Sequence, residues 1–486
     1  MVRGERQDRL WWASVGAAVV VGLALRIAAA QGGLWTDEAW SVIYAAEARD
    51  AAGVFLRINH DNNHHLYSLW LQAVGMDAPP LLARAPAIVA GTVCIPIAAL
   101  LLARRSVAAS VVVAVLFAIS PTFVNFGSEA RGYSMMLLAT LTMLWLITEA
   151  IEARERRGTP WWLAITAALG MLSHMTMAAP VALAAAWVYL DRRSALGAGA
   201  AMRETARLMG PAFAATAAVV LFVFAAAAAS STGMRLGGYI VFNWRDFAGT
   251  IDDLVNWTLG SPVSVRWLAL VALVLVASWI SVQPPDWLAG RSRLYALLIL
   301  GVPIGAAIFH PGNSGFGRYY LSSAVAILLI AAEWIGREFD RRQARRIGAA
   351  IVLGALAVGC LWRDSQLIAL QRGHPDAAVA LIAGRSPVGP RVAVAEPRLT
   401  AVLTLGARRA RLPLSIVGGC APAQFLLAAR PSWVAAPTMV ERCGVPMRIF
   451  ASAVTTPLSG EGWALYVADS LQTNGRAVSG RAPGGH

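Results

Sequence analysis

Charge is scarce in this chain. Of 486 residues only 14% are charged, while 57% are hydrophobic. That balance excludes a disordered chain or an ordinary soluble protein and points to a polytopic membrane protein. Lysine is absent, so all 41 basic residues are arginine and the net charge of +14 rests on arginine alone. Cysteine is also rare, with 4 in all. Cys94 and Cys360 fall in apolar runs, while Cys420 and Cys443 fall near the C-terminal end, where an oxidising compartment would allow them to pair. No internal repeat is visible.

What is abundant is apolar sequence long enough to span a bilayer. Such runs recur at 10–30, 80–103, 107–124, 134–151, 207–229, 262–281, 294–309, 319–335 and 347–362. The stretch 160–190 is longer than one span, and Ser173-His174-Met175-Thr176 breaks it, so we expect two short helices joined by a tight turn. The expected total is about 11 transmembrane helices. With that count, the clusters at Arg3/Arg6/Arg9, Arg104/Arg105, Arg154/Arg156/Arg157, Arg192/Arg193/Arg203, Arg291/Arg293 and 337–346 all fall on one side. The positive-inside rule makes that side cytoplasmic, with the N-terminus inside and the tail after residue 362 outside. The arginines are spread over short loops, which argues against nucleic acid as a partner. The first run has a basic start, and Ala28-Ala29-Ala30-Gln31 is similar to a cleavage site. Its near-full span length favours an uncleaved first helix.

Two outer loops are long. In the loop 31–79, segments 37–49 and 62–76 carry apolar residues at helical spacing, with Trp35, Trp40 and Trp70 suited to an interfacial position. The loop 230–261 starts Gly-rich, with Gly233, Gly237 and Gly238, and is either a lid or a hydrated connection. Beyond 363 the pattern shortens. We expect strands at 391–395, 412–417, 432–436, 447–454 and 463–468, helices at 400–405 and 423–429, and a disordered end from about 472. The domains are therefore a membrane domain, 8–362, and a small extracytoplasmic α/β domain, 363–486.

Chemistry-bearing residues crowd the outer edge. Asp37-Glu38 stands just past the first span, where carboxylates are costly to desolvate. Asp37 can deprotonate an acceptor hydroxyl, bind a cation, or cap a helix. His60-Asp61-Asn62-Asn63-His64-His65 follows in the same loop. His60 and His64 are four apart, a spacing that can hold a metal, contact a phosphate or sugar, or belong to a solvated turn. Two short outer turns each carry an Arg followed by Tyr: Glu129-Ala130-Arg131-Gly132-Tyr133, and Gly317-Arg318-Tyr319. Both arginines oppose the positive-inside trend, and a guanidinium there can either snorkel or clamp a lipid phosphate.

The order Asp-Glu after helix one, a His/Asn-rich segment ending Leu66-Tyr67, then Glu-Ala-Arg-x-Tyr, then Arg-Tyr before a late helix resembles the GT-C glycosyltransferases. It is most similar to the branch of bacterial protein O-mannosyltransferases and lipid A aminoarabinose transferases, over about residues 8–335. The resemblance implies a GT-C-like fold and a polyprenyl-phosphate-linked sugar donor. It implies Asp37 as general base and Glu38 as the second acid, which orients the acceptor or the first helix. Arg131, Arg318, His64 and Tyr319 are the expected donor-phosphate contacts. His60, Asn63, His65, Glu129 and Tyr133 are the expected substrate contacts. Where the family has His-Pro-Pro-Leu or Lys-Pro-Pro-Leu, this chain has Asn63-His64-His65-Leu66, so His64 takes the place of the missing basic contact. His174 is similar to the family's His at the turn between spans five and six. The expected reaction is inverting transfer of a hexosyl or pentosyl group to a hydroxyl of a glycan, lipid or protein at the outer face of the bacterial plasma membrane. A divalent cation is an open alternative to neutralisation of the phosphate by arginine. The rival functions are a transporter or flippase for a lipid-linked sugar, and a non-catalytic assembly or sensor protein. The missing repeat and the edge position of the polar residues weigh against the transporter.

Overall fold

The structure is a computed structural model and describes residues 5–60, 62–152, 158–230, 233–235, 240–262, 267–288, 290–431 and 434–468. Asp61, Gly237, Gly238, the Arg154/Arg156/Arg157 cluster, Arg3, Ser432 and the expected disordered end lie outside the described residues. The chain forms two compact units. One comprises Met1–Gln31 and Trp40–Ala369; the other comprises Gly32–Ala39 and Leu370–His486. The division falls inside the helix Thr36–Glu47.

The first unit is helical. A helix occupies the body of every apolar run read from the sequence. Seven of the described helices are long and apolar enough to cross a membrane, and Val107–Ile119 and Leu268–Val282 are apolar but shorter. The chain is thus a multi-pass membrane protein. The expected break in 160–190 is present: helix Thr159–Ser173 ends at His174, a 3-10 turn covers Met175–Met177, and helix Ala178–Leu196 follows. The helix ending at Phe339 is 78% buried over its apolar window and stands at the centre, whereas that of 343–373 is 11% buried, leaving an apolar surface suited to lipid. The core is one apolar cluster through Phe117, Leu144, Leu298, Tyr320 and Leu328.

Several arginines read as loop charges are structural ties. Arg291 is buried and makes two bonds to Glu152, Nε to Oε1 at 2.8 Å and Nη2 to Oε2 at 2.9 Å. Arg105 donates to the same carboxylate at 2.8 Å, and Tyr295 bonds to Glu333 beside Arg291. Burying one charge without its partner would cost several kcal/mol, roughly 3–5, so the set holds these helix ends together as a group. Arg26 is fully buried and donates to the carbonyls of Gly22 and Phe117 at 2.9 and 3.0 Å, fastening the first helix to Val107–Ile119.

The expected amphipathic segments are the helices Thr36–Glu47 and His65–Val74, with a short helix Ala51–Leu56 between them. The loop 230–261 contains the helix Trp244–Leu259.

The second unit is built on a six-stranded mixed sheet of β1 (Arg391–Val394), β2 (Ser415–Val417), β3 (Phe425–Arg430), β4 (Met439–Arg442), β5 (Val445–Ala453) and β6 (Gly462–Ala468), in the order β2-β1-β3-β6-β5-β4. β1 pairs in parallel with β2 and β3, and the remaining pairs are antiparallel. The helices Pro375–Arg385 and Thr400–Arg409 cover one face, packing Val379, Ile382 and Leu403 on Val392, Phe425, Leu427 and Leu465. Two expectations are corrected here. The segment 423–429 is not a helix but β3, a central strand buried over Phe425–Leu427. Its unbroken Leu/Ala run carries no period-two signal, and its helix propensity is overridden by pairing on both sides. Val434–Ala436, in the expected strand 432–436, is not a strand; the pairing falls instead at β4, after Pro437. Cys420 and Cys443 form the expected disulfide, and Cys94 and Cys360 are free and buried.

Candidate functional site

In the first unit the residues gather at the turn before Tyr133–Glu152. Arg131 donates from Nε to Nε2 of His64 at 3.1 Å and from Nη2 to Oδ1 of Asn62 at 2.7 Å. Its guanidinium also lies 5.1 Å from the centre of the Tyr133 ring. Because Nε2 accepts from Arg131, the proton of the neutral His64 ring is assigned to Nδ1. Burial, then the neighbouring charge of Arg131, and then His174 and Arg318, hold the His64 imidazole well below its ordinary pKa. His64, Tyr133 and His174 cluster with ring centres 4.7–5.4 Å apart, His64 edge-on to Tyr133 and the other two pairs tilted by 31° and 35°. Gly132 makes this approach possible: a Cβ there would stand 1.9 Å from the Ser173 carbonyl oxygen. His174 in turn accepts from the Thr176 N–H at 3.2 Å through Nδ1, which also bonds to the Thr176 hydroxyl at 2.7 Å.

Thr176 lies on the wall of a cavity of about 720 Å³. The cavity runs between the helices Ala178–Leu196 and Ser292–Phe309, lined by Ala178, Ala182, Leu183, Val302, Gly305 and Phe309. Arg318, Tyr319 and Ser322 are among its lining residues. Arg318 sits in the 3-10 turn Gly317–Tyr320, its guanidinium 4.2 Å from the Phe316 ring centre. The arrangement is a largely apolar slot with an arginine and a tyrosine among its lining residues, residue types that suit a long hydrocarbon carrying an anionic head.

The other expected substrate contacts, His60, Asn63, His65 and Glu129, also have neighbours within the fold. Asn63 donates from Nδ2 to the Val54 and Ile58 carbonyls at 2.8 and 2.9 Å and accepts from Ser68 at 2.7 Å, which shapes the loop. His65 is buried and stacks on Phe55 at 5.2 Å; burial drives its pKa down to about 4. His60 accepts from the Asn62 N–H at 3.1 Å and lies against Tyr44. Glu129 is buried, its carbonyl accepting from the Arg131 N–H at 2.7 Å. A metal on Nε2 of His64 would have to displace Arg131. Among the described residues no group of three or more His, Cys, Asp or Glu is placed to hold a metal ion.

In the second unit, Asp37 and Glu38 stand in the first turn of Thr36–Glu47, where the helix dipole favours negative charge. Glu38 is fully buried and accepts from the Trp35 N–H at 3.2 Å. The Thr36 hydroxyl bonds to the Glu461 carboxylate, which also pairs with Arg398 at 2.7 Å. Glu461 has no local signal in the sequence, since its partner lies 425 positions away.

No family model matches the chain, and no curated protein matches it. Solved structures do. Apo ArnT from Cupriavidus metallidurans aligns with a TM-score of 0.51 at 13% identity, over 94% of this chain and 98% of that one. The same protein bound to undecaprenyl phosphate gives 0.48 at 14% identity, over 94% and 98% of the two chains. The archaeal oligosaccharyltransferase AglB from Archaeoglobus fulgidus, in complex with an inhibitory peptide and a dolichol-phosphate, gives 0.49 at 11% identity, over 88% and 70%. The match to apo ArnT carries the fold alone: over nearly its whole length this chain shares the overall fold of that structure.

Proposed function

We propose that this protein is a membrane glycosyltransferase that moves a sugar from a polyprenyl-phosphate donor to a hydroxyl acceptor. The observation that carries the reading is the apolar cavity with Arg318 and Tyr319 on its wall, joined through Thr176 and His174 to the Arg131–His64 pair. A prenyl chain suits the apolar walls, and a phosphate suits the guanidinium groups. The order of motifs along the chain assigns Asp37 to the same reaction. Its carboxylate takes the proton of the acceptor hydroxyl as that oxygen attacks the anomeric carbon. The bond from that carbon to the phosphate oxygen breaks, the anomeric centre inverts, and polyprenyl phosphate leaves. Arg318 and Arg131 stabilise the charge that grows on the leaving group. His64, which accepts from Arg131 through Nε2, orients it. Glu38 holds the first turn of the Asp37 helix. The arginine distribution supports a plasma-membrane orientation with the N-terminus cytoplasmic and the sheet domain outside. The acceptor is a hydroxyl of a glycan, lipid or protein, and the sugar is a hexose or pentose.

Native mass spectrometry of the purified protein and its Asp37→Asn variant tests this. The reading expects bound polyprenyl phosphate in the wild type and the glycosylated lipid retained by the variant. Phospholipid alone in both, after supplying polyprenyl-phosphate sugars, would refute it.

A further inference from the structure

The acid pair belongs, by packing, to the unit that contains the C-terminal sheet. Gly33 lies close against Asp376: a Cβ there would come 2.6 Å from the carboxylate and push that side chain aside. Trp35 and Thr36 share one small pocket with Pro375, Leu427, Glu461 and Trp463. At its edge the Thr36 hydroxyl bonds to Glu461. Thr36 is the first residue of the helix and Asp37 the second, so whatever holds Thr36 also aims Asp37.

Glu461 is itself well anchored. It directly precedes β6, its N–H donates to the Arg372 carbonyl at 3.3 Å, and the side chain is 14% exposed. One carboxylate oxygen takes Thr36 and the other takes Arg398. Asp37 and Glu396 lie near enough for their charges to act on it. Burial is the leading influence raising its pKa, with Arg398 and Thr36 pulling the other way. The ion pair with Arg398 and the bond from Thr36 offset the partial burial of this carboxylate and fix where it points.

We propose that Glu461 is a positioning residue for the catalytic base, acting through the Thr36 hydroxyl to fix the first turn that carries Asp37. The C-terminal sheet domain is then part of the catalytic apparatus in addition to any role in binding the acceptor. The inference rests on the reading of Asp37 as base, and it goes beyond that reading by assigning a remote residue to the positioning of that base.

The test is a double-mutant cycle on the full-length protein in lipid, with Thr36→Val, Glu461→Ala and the double variant, and with Asp37→Asn as reference. The single changes should each lower kcat by about 10- to 100-fold, the penalty of a misplaced catalytic group, with the donor KM unchanged. The double variant should lose no more than either single one, since one bond is broken in all three. Thr36→Ser and Glu461→Gln keep a donor and an acceptor, so they should restore most of kcat. They also keep the proposal falsifiable if Glu461→Ala does not fold. Independent, multiplying losses would overturn it, as would an unrescued loss of kcat in Thr36→Ser or in Glu461→Gln. An inactive Asp37→Asn beside a fully active Glu461→Ala defeats this inference alone. An active Asp37→Asn defeats the function reading on which it stands.

Discussion

Arg131 donates from Nε to Nε2 of His64 across 3.1 Å, and the imidazole receives this bond as a neutral base. The direction matters. A protonated His64 would be a second cation beside a guanidinium, whereas the neutral ring fixes the guanidinium and leaves it the charge. His64→Ala should therefore lower transfer by about tenfold or more through a loose Arg131. Because the His64 pKa is held well below its ordinary value, the wild-type rate should carry no His64 titration between about pH 6 and 8. A rate that falls through that window in the wild type and not in His64→Asn would show a charged imidazole at work instead.

Arg318 stands on the cavity wall and its replacement should separate donor from acceptor. Arg318→Ala should raise the donor KM by about 10- to 100-fold, the worth of a lost charge-assisted bond, and leave the acceptor KM near wild type. Steady-state kinetics with each substrate varied in turn makes the measurement. Equal effects on both substrates would remove Arg318 from the phosphate.

Gly305 offers a complementary probe of the apolar half of the slot. It lines the cavity, and a Cβ placed on it meets nothing within 4 Å. Gly305→Leu should leave the protein folded while its side chain competes with the prenyl chain. Long polyprenyl donors should bind several-fold more weakly, with short-chain analogues affected less. An unchanged response to chain length would mean that the lipid lies elsewhere.

Acid should destabilise the outer loop through His65. Its folded pKa of about 4 lies below the ordinary histidine value, so between the two the unfolded chain binds more protons than the folded one. The stability due to neutral burial is fully present above the ordinary value and is lost as pH falls toward 4, up to about 3 kcal/mol. Thermal unfolding followed from pH 7 to 5 should show this loss, and His65→Phe, which keeps the stack on Phe55, should flatten it. An equal slope in both would place the acid sensitivity in another group.

Apolar periodicity made most of the membrane unit legible, down to the break at Ser173–Met177, because long apolar runs in lipid have few alternatives to helix. The pairing of Cys420 with Cys443 was legible from their compartment. β3 was not, because a strand buried on both faces loses the alternation by which strands are recognised. The site was legible as residue types: Arg131, Arg318 and His64 stood out as polar groups at a membrane edge. Their division of labour was not, since it depends on which atom of His64 faces Arg131 and on Asn63 and His65 being used up by the loop. The role of Glu461 could not be read at all, because a single long-range bond to Thr36 carries it.

The most direct measurement is sugar transfer in proteoliposomes supplied with a panel of polyprenyl-phosphate sugars, wild type against Asp37→Asn. The account predicts that at least one donor is consumed by the wild type, releasing polyprenyl phosphate. Asp37→Asn should fold and bind that donor normally yet turn it over at least about a thousandfold more slowly, the scale of a lost general base together with its charge. Transfer by Asp37→Asn at the wild-type rate would contradict it, as would a wild type that consumes no donor in the panel.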